Sequence, residues 1–153
     1  MSKNAGILFA CREGERWEVC LARRAIEPGY GLLTSTGGRV EAGETPLEAA
    51  FRETLEEWFG GHSAAPFEVL LSSYLPQGFN RARCRFHVQE YSSGWEFHTV
   101  LVTVERKFDP ALLRLDWEYF AGSAAWYPVT ALPGDVRRSL GEVVRYFGLD
   151  RTD

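Results

Sequence analysis

Two rhythms of hydrophobic and polar positions run along the chain. Ala5 to Ala10 is a nearly unbroken apolar run and Trp17 to Ala22 a second short one, with Glu13-Gly14-Glu15 between them, which predicts two strands joined by a turn. Farther on, Phe67 to Tyr74, Arg83 to Tyr91 and Phe97 to Glu105 read as three more strands, and Trp126 to Val129 as a short final one. The period changes to that of a helix in two places. Thr45, Pro46 and Glu48 form an N-terminal signature, a Thr cap followed by proline at the first helical position and a glutamate able to reach back to the cap, so a helix should begin at Pro46. Val136 to Phe147 predicts a closing amphipathic helix. Strands alternating with two helices predict an α/β fold, a sheet covered on both faces.

The first helix carries the most informative chemistry. Leu47, Ala50, Phe51, Thr54, Leu55 and Trp58 fall on one side and form the stripe that docks on a sheet. Glu53, Glu56 and Glu57 share another face at i, i+3 and i+4, with Arg52 on its flank beside Glu56. Like charges at that spacing cost about 0.2–0.5 kcal/mol per pair. A hard divalent cation reverses the sign, since Mg2+ is held by carboxylate and water oxygens together with substrate phosphates. A Glu-rich helix by itself is more often a solvated acidic face. The preceding loop, Thr36-Gly37-Gly38-Arg39-Val40-Glu41-Ala42-Gly43-Glu44, changes the balance, because its glycines let backbone turn tightly or approach a ligand.

Loop and helix together resemble the signature of the Nudix hydrolases: Gly, five residues, Glu, seven residues, Arg-Glu, two residues, Glu-Glu. Gly38, Glu44, Arg52, Glu53, Glu56 and Glu57 stand at those positions. Two positions depart from the pattern. Thr54 stands where the family usually has an aliphatic residue, and Phe59 where it has glycine, with Gly60 one place later. The second departure predicts a helix one residue longer, ended by the left-handed capacity of Gly60-Gly61. The Leu33-Thr34-Ser35-Thr36 segment also lacks the proline common in relatives.

The resemblance implies an α/β/α sandwich with a mixed sheet, and hydrolysis of the pyrophosphate of a nucleoside diphosphate linked to another moiety, with Mg2+ or Mn2+ as cofactor. Carried over by position, Glu53, Glu56 and Glu57 become metal ligands or their close partners, and the Gly37 carbonyl a further ligand. Arg52 would orient the carboxylates, and Glu44 would brace loop against helix. Relatives use either a box glutamate or a carboxylate from a later loop as general base. Glu118, in Leu115-Asp116-Trp117-Glu118-Tyr119 ahead of Trp126, is the later candidate here; an ordinary loop glutamate is the competing reading.

Substrate phosphates need cations. Arg23-Arg24 follows the second strand, and Arg81, Arg83 and Arg85 alternate onto one face, though either group can also be a solvated edge. Tyr30, Phe79 and Trp95 are candidates to stack a base, against a base expectation that aromatics are core. Pro76, sixteen residues beyond Gly60, is weakly similar to a proline found after the box in ADP-ribose enzymes. His62, His87 and His98 have no ligand spacing.

At 153 residues the chain is expected to be a single domain, 1–153, with 45% hydrophobic and 25% charged residues and no low-complexity run. A net charge of −4 argues against an extended nucleic-acid footprint but not against nucleotides. No segment approaches the ~20 apolar residues that span a bilayer, so no membrane partner and a cytoplasmic location are expected. Cys11, Cys20 and Cys84 have no metal spacing and read as reduced structural thiols, although Cys11 and Cys20 could face each other across the first hairpin. Two other functions compete: a catalytically silent Nudix-fold module that binds nucleotides in a regulatory role, and an acidic helix that docks a protein. The base, sugar, leaving group and number of ions stay open, as does the choice between monomer and homodimer.

Overall fold

The computed structural model describes residues 2–61, 84–91 and 93–151. The expected strand Phe67 to Tyr74, together with Phe79, Arg81, Arg83, Pro76 and His62, lies outside the described residues. The elements in chain order are strands β1 (Ser2–Glu13), β2 (Arg16–Arg23), β3 (Leu33–Thr34) and β4 (Gly38–Arg39), helix α1 (Pro46–Trp58), strands β5 (Arg85–Glu90), β6 (Trp95–Val104) and β7 (Ala125–Pro128), and helix α2 (Leu140–Tyr146).

Among the described residues the strands form one mixed sheet in the order β3-β2-β1-β6-β5, with β4 pairing β1 and β7 pairing β2. β1 is central, which explains its apolar run: a strand buried on both faces has no polar side to alternate with. It is longer than the apolar run suggested, because parallel pairing with β6 extends from Ser2↔Trp95 to Cys11↔Val104. The sheet's two faces bury separate clusters, sorted by the two-residue period of the strands. Ile7, Phe9, Cys20, Val100 and Val102 face α1 through Ala49, Ala50 and Trp58. Leu8, Ala10, Val19, Leu21 and Leu101 face α2 through Leu140, Val143, Val144 and Phe147. This is the α/β/α sandwich expected.

α1 begins at Pro46 with both halves of the capping box made, and its C-cap is Phe59. Gly60 follows at φ 85 and Gly61 at φ 74, and the Gly61 N–H returns to the Leu55 carbonyl at 3.0 Å, closing the longer helix that the displaced glycine implies.

The closing helix differs from expectation, spanning only Leu140–Tyr146 rather than Val136 to Phe147. Leu33 takes the intervening backbone first: its N–H donates to Asp135 O at 2.9 Å, and its carbonyl accepts from Arg137 N–H at 2.8 Å. Residues held extended by a β-bridge cannot also start a helix. The cysteine pairing also fails in detail, since Cys11 lies opposite Glu18 across the hairpin, and both Cys11 and Cys20 are free and buried. No helix among the described residues is long and apolar enough to cross a membrane.

Candidate active site

The site forms where β1 changes partner along one edge. Asn4 and Ala5 pair with β4, Ala10 to Glu13 pair with β2, and the loop through Ser35, Thr36 and Gly37 fills the gap between them. Gly6 permits this crossing, because a Cβ there would coincide with the Thr36 carbonyl. Thr36 ties the loop down. The Ile7 N–H donates to its Oγ1 at 2.9 Å, its hydroxyl meets that of Thr54 at 2.7 Å, and Thr54 donates onward to the Ala50 carbonyl at 2.7 Å. The departure at Thr54 therefore has a structural counterpart, a buried hydroxyl facing another.

The loop presents the acidic helix with two glycines. A Cβ on Gly38 would fall on the Glu53 carboxylate, and one on Gly37 would press to 2.8 Å from the Phe97 ring. The Gly37 N–H donates to Glu57 Oε2 at 3.2 Å, while the Tyr119 phenol donates to Glu57 Oε1 at 2.5 Å.

The three carboxylates do not form the common solvent patch that helix geometry alone suggested. Glu57 is only 1% exposed, whereas the Glu56 side chain is 49% exposed, and Glu53 lies between these extremes. The cause is tertiary: the glycine loop and Tyr119 close over the Glu57 side of the helix. Burial, reinforced by the charges of Glu118 and Glu53, pushes the Glu57 carboxyl up to about 9, although its bonds from Tyr119 and Gly37 oppose the rise. Burial likewise raises the Glu53 carboxyl, with Arg52 opposing and Glu56 and Glu118 reinforcing.

Arg52 is the hub of the exposed side. It grips Glu44 bidentately, at 2.7 Å through Nε and 3.0 Å through Nη2, and donates through Nη1 to Glu53 at 2.9 Å and Glu56 at 3.4 Å. A further bond from Nη2 to the Arg39 carbonyl at 2.8 Å anchors the loop. Glu44 also accepts the Glu41 N–H at 2.9 Å, and the Arg52 guanidinium holds its carboxyl down to about 2.

Beside this cluster opens a cleft of about 560 Å3, whose lining includes Gly37, Gly38, Arg24 and Glu118. Glu118 stands there on a tight turn, its N–H donating to Asp116 Oδ1 at 2.9 Å and its carbonyl accepting from Ala25 N–H at 2.7 Å. Trp95 also lines the cleft, stacked on Tyr91 with ring centroids 4.4 Å apart. Other expected contacts lie elsewhere. Arg23 is engaged by the Gly31 carbonyl and Asp135, each at 2.6 Å. Tyr30 is 57% exposed and packs edge-on against Phe120, apart from the cleft lining. His98 pairs with Glu96 at 2.9 Å, and His87 is buried against Tyr146. Arg137, which no motif singled out, lines the cleft with its guanidinium 4.5 Å above the Phe97 ring.

No three acidic, His or Cys side chains among the described residues converge as a ready-made metal cage. The donor set nevertheless suits a hard cation. Glu53, Glu56, Glu57 and Glu118 are all oxygen donors; beyond burial, the charges of Glu56 and Glu118 raise the Glu53 carboxyl and those of Glu118 and Glu53 raise Glu57, and Arg52, the cation in contact with Glu53 and Glu56, is already committed to Glu44. Mg2+ characteristically takes only one or two protein carboxylates, leaving its other positions to water and phosphate.

A family model described as NUDIX domain matches residues 2–147. No curated protein matches the sequence. Among solved structures, the chain is similar to a binary complex of a C. elegans Ap4A hydrolase, with TM-score 0.62 and 18% identity over 97% of this chain and 96% of that one. It is similar to a MutT NUDIX hydrolase from Burkholderia pseudomallei, with TM-score 0.61 and 16% identity over 94% and 95% of the two chains. It is also similar to the NUDIX domain of Shewanella oneidensis NrtR complexed with ADP ribose, with TM-score 0.57 and 11% identity over 95% and 85%. Likeness at these identities establishes the fold.

Proposed function

The chain belongs to the Nudix family, and from that premise we propose that it is a metal-dependent hydrolase. Its substrate would be a nucleoside triphosphate or a nucleoside diphosphate linked to another moiety, cleaved at the pyrophosphate bond. The observation that carries the reading is the assembly of Glu53, Glu56, Glu57 and Glu118 beside one cleft, two of them held by Arg52 and one by Gly37 and Tyr119.

Glu53, Glu56 and Glu57, with the Gly37 carbonyl, would hold Mg2+ or Mn2+. Such an ion, when bound, neutralises charge that develops on the phosphate oxygens and orients the attacking water. Arg52 holds the Glu53 and Glu56 carboxylates in place by charge-assisted bonds. Tyr119 and the Gly37 N–H orient Glu57 by fixing both of its oxygens. In the reaction, water adds to one phosphorus as the bridging P–O bond breaks, and the leaving phosphate takes the electron pair. Glu118, which lines the same cleft as the glycine loop, takes the water's proton. Arg24 supplies positive charge to the substrate phosphates, and the Tyr91–Trp95 wall offers an apolar face to a base. A cytoplasmic location is part of this reading, supported by Cys11 and Cys20, which are buried as free thiols.

The names of similar structures frame the choice of substrate: dinucleoside polyphosphates, as in Ap4A, and ADP-ribose both join nucleoside diphosphates to a second moiety. The test is product release from a panel of nucleoside triphosphates, dinucleoside polyphosphates, ADP-ribose and capped RNA, in Mg2+ and in Mn2+, with wild type and Glu56→Gln. Metal-dependent release that the substitution abolishes supports the hydrolase and identifies its substrate class. Nucleotide binding without release from any substrate replaces it with the silent regulatory module. Release that survives Glu56→Gln removes the metal role of the helix face.

A further inference from the structure

The cleft is lined by an arginine, Arg137, two of whose nitrogens have no hydrogen-bond partner among the described residues. Both of them, Nε and Nη2, are shielded from solvent. These two nitrogens form one side of the guanidinium fork, the edge that receives two oxygens of a single oxyanion in parallel. A buried charged donor left unpaired is costly, and native structures retain few without a reason.

The surroundings hold this fork in place. The backbone of Arg137 is fixed by the bridge to Leu33, and the flat face of its guanidinium lies over Phe97. The same ring backs Gly37, where a Cβ would be 2.8 Å from Phe97, so Arg137 stands one aromatic layer from the loop of the acidic cluster. Ser35 adds a second orphan: its Oγ is buried and unpartnered among the described residues, and it lines the same cleft. Arg24 lines that cleft too, near enough that its charge makes the Arg137 cation harder to hold, as does burial. Two guanidinium groups facing one cavity, one of them stripped of water, favour an anion over a neutral base edge. A second cleft of about 740 Å3 adjoins the first and shares Tyr91, Trp95, Arg137 and Ser139 with it, which leaves room for the rest of a ligand beyond the fork.

We propose that Arg137, with the Ser35 hydroxyl, is the receptor for a phosphate group of the substrate, gripping two nonbridging oxygens through Nε and Nη2. The receptor rests on the hydrolase reading for its substrate class, but not for its existence as an anion site. It makes specificity depend on phosphate spacing, because a ligand must span the carboxylate cluster and the Arg137 fork together.

The test is calorimetric binding of methylenediphosphonate, a carbon-bridged diphosphate that cannot be hydrolysed, and of the uncharged nucleosides adenosine and guanosine, to the full-length protein in Mg2+ and in EDTA. Arg137→Met should weaken methylenediphosphonate binding about tenfold to a hundredfold, equivalent to about 1.4 kcal/mol per tenfold, while nucleoside affinity stays unchanged. Arg137→Lys should fall between, since it keeps the charge and loses the fork, and Ser35→Ala should give a smaller loss.

Equal diphosphonate affinity in wild type and Arg137→Met would overturn the proposal, as would a matching loss of nucleoside affinity or the absence of diphosphonate binding to wild type at millimolar concentration. Should Arg137→Met fail to fold, Arg137→Lys serves with arginine Nε–H NMR spectra of the wild type, in which diphosphonate must shift the Arg137 resonance. An unshifted resonance rejects the receptor. Arg137-dependent diphosphonate binding in a protein that hydrolyses no nucleotide supports the receptor and removes the hydrolase reading alone.

Discussion

The Glu53 carboxylate occupies the space that a side chain on Gly38 would need. Glycine at this position is therefore a requirement of contact, not of backbone freedom. Gly38→Ala should displace Glu53 from the loop and from Arg52, reducing turnover by about a hundredfold or more through lost positioning, with a cooperative melt still present. Activity within twofold of wild type would show that Glu53 can work from another rotamer.

Thr36 and Thr54 meet in a buried chain of hydroxyls that begins at the Ile7 N–H and ends at the Ala50 carbonyl. Thr36→Val removes the acceptor of a buried N–H and should cost about 1–3 kcal/mol of unfolding free energy. Thr54→Val should cost less, because Thr36 retains the Ile7 carbonyl as an alternative acceptor at 3.3 Å. A urea double-mutant cycle should give a coupling of about 0.5 kcal/mol or more; strict additivity would break the link between the two hydroxyls.

Tyr119 donates to one oxygen of the buried Glu57. Tyr119→Phe leaves that oxygen without its partner and should lower stability by about 1–3 kcal/mol. Positioning predicts a second effect that packing does not: Mg2+ affinity, followed by titration of the folded variant, should fall about tenfold or more. A variant destabilised but with unchanged Mg2+ affinity would limit Tyr119 to a structural role.

Arg52, hydrogen-bonded to Glu44, lowers that carboxyl from its ordinary 4.5 to about 2 in the folded chain. A depressed folded value stabilises the protein above the unfolded value, and the contribution fades as pH falls from about 4.5 towards about 2. In EDTA, the stability difference between wild type and Glu44→Gln should hold steady above pH 5 and shrink continuously towards pH 3. A difference that stays level down to pH 3 would contradict the Glu44–Arg52 pairing as its source.

Glu118 shares the cleft with Gly37 and Gly38 and contributes its charge to Glu53 and Glu57. Glu118→Gln should lower kcat by about 10²–10⁴-fold, the range for a displaced general base, with the melting temperature little changed. Undiminished kcat would assign proton transfer to a box glutamate instead.

What the chain settles by itself is short in range. The α1 boundaries follow from Thr45, Pro46, Glu48 and the Gly60-Gly61 pair, because capping and left-handed termination involve atoms within a turn of one another. The strands of the central sheet follow from apolar runs, and the grouping of Arg52, Glu53 and Glu56 follows from helical spacing. What the chain could not settle was long in range. Helix geometry placed Glu57 beside Glu56, yet contacts from a loop twenty residues earlier and a tyrosine 62 residues later turn Glu57 into a buried acid. The start of α2 gave way to a bridge with Leu33, and Arg137 carried no motif at all; only the meeting of that bridge, Phe97 and the glycine loop gives its fork a place in the cleft. Local chemistry is written in spacing along one segment, whereas burial and unpaired charge depend on which distant segments pack together, and that was decided by the tertiary structure.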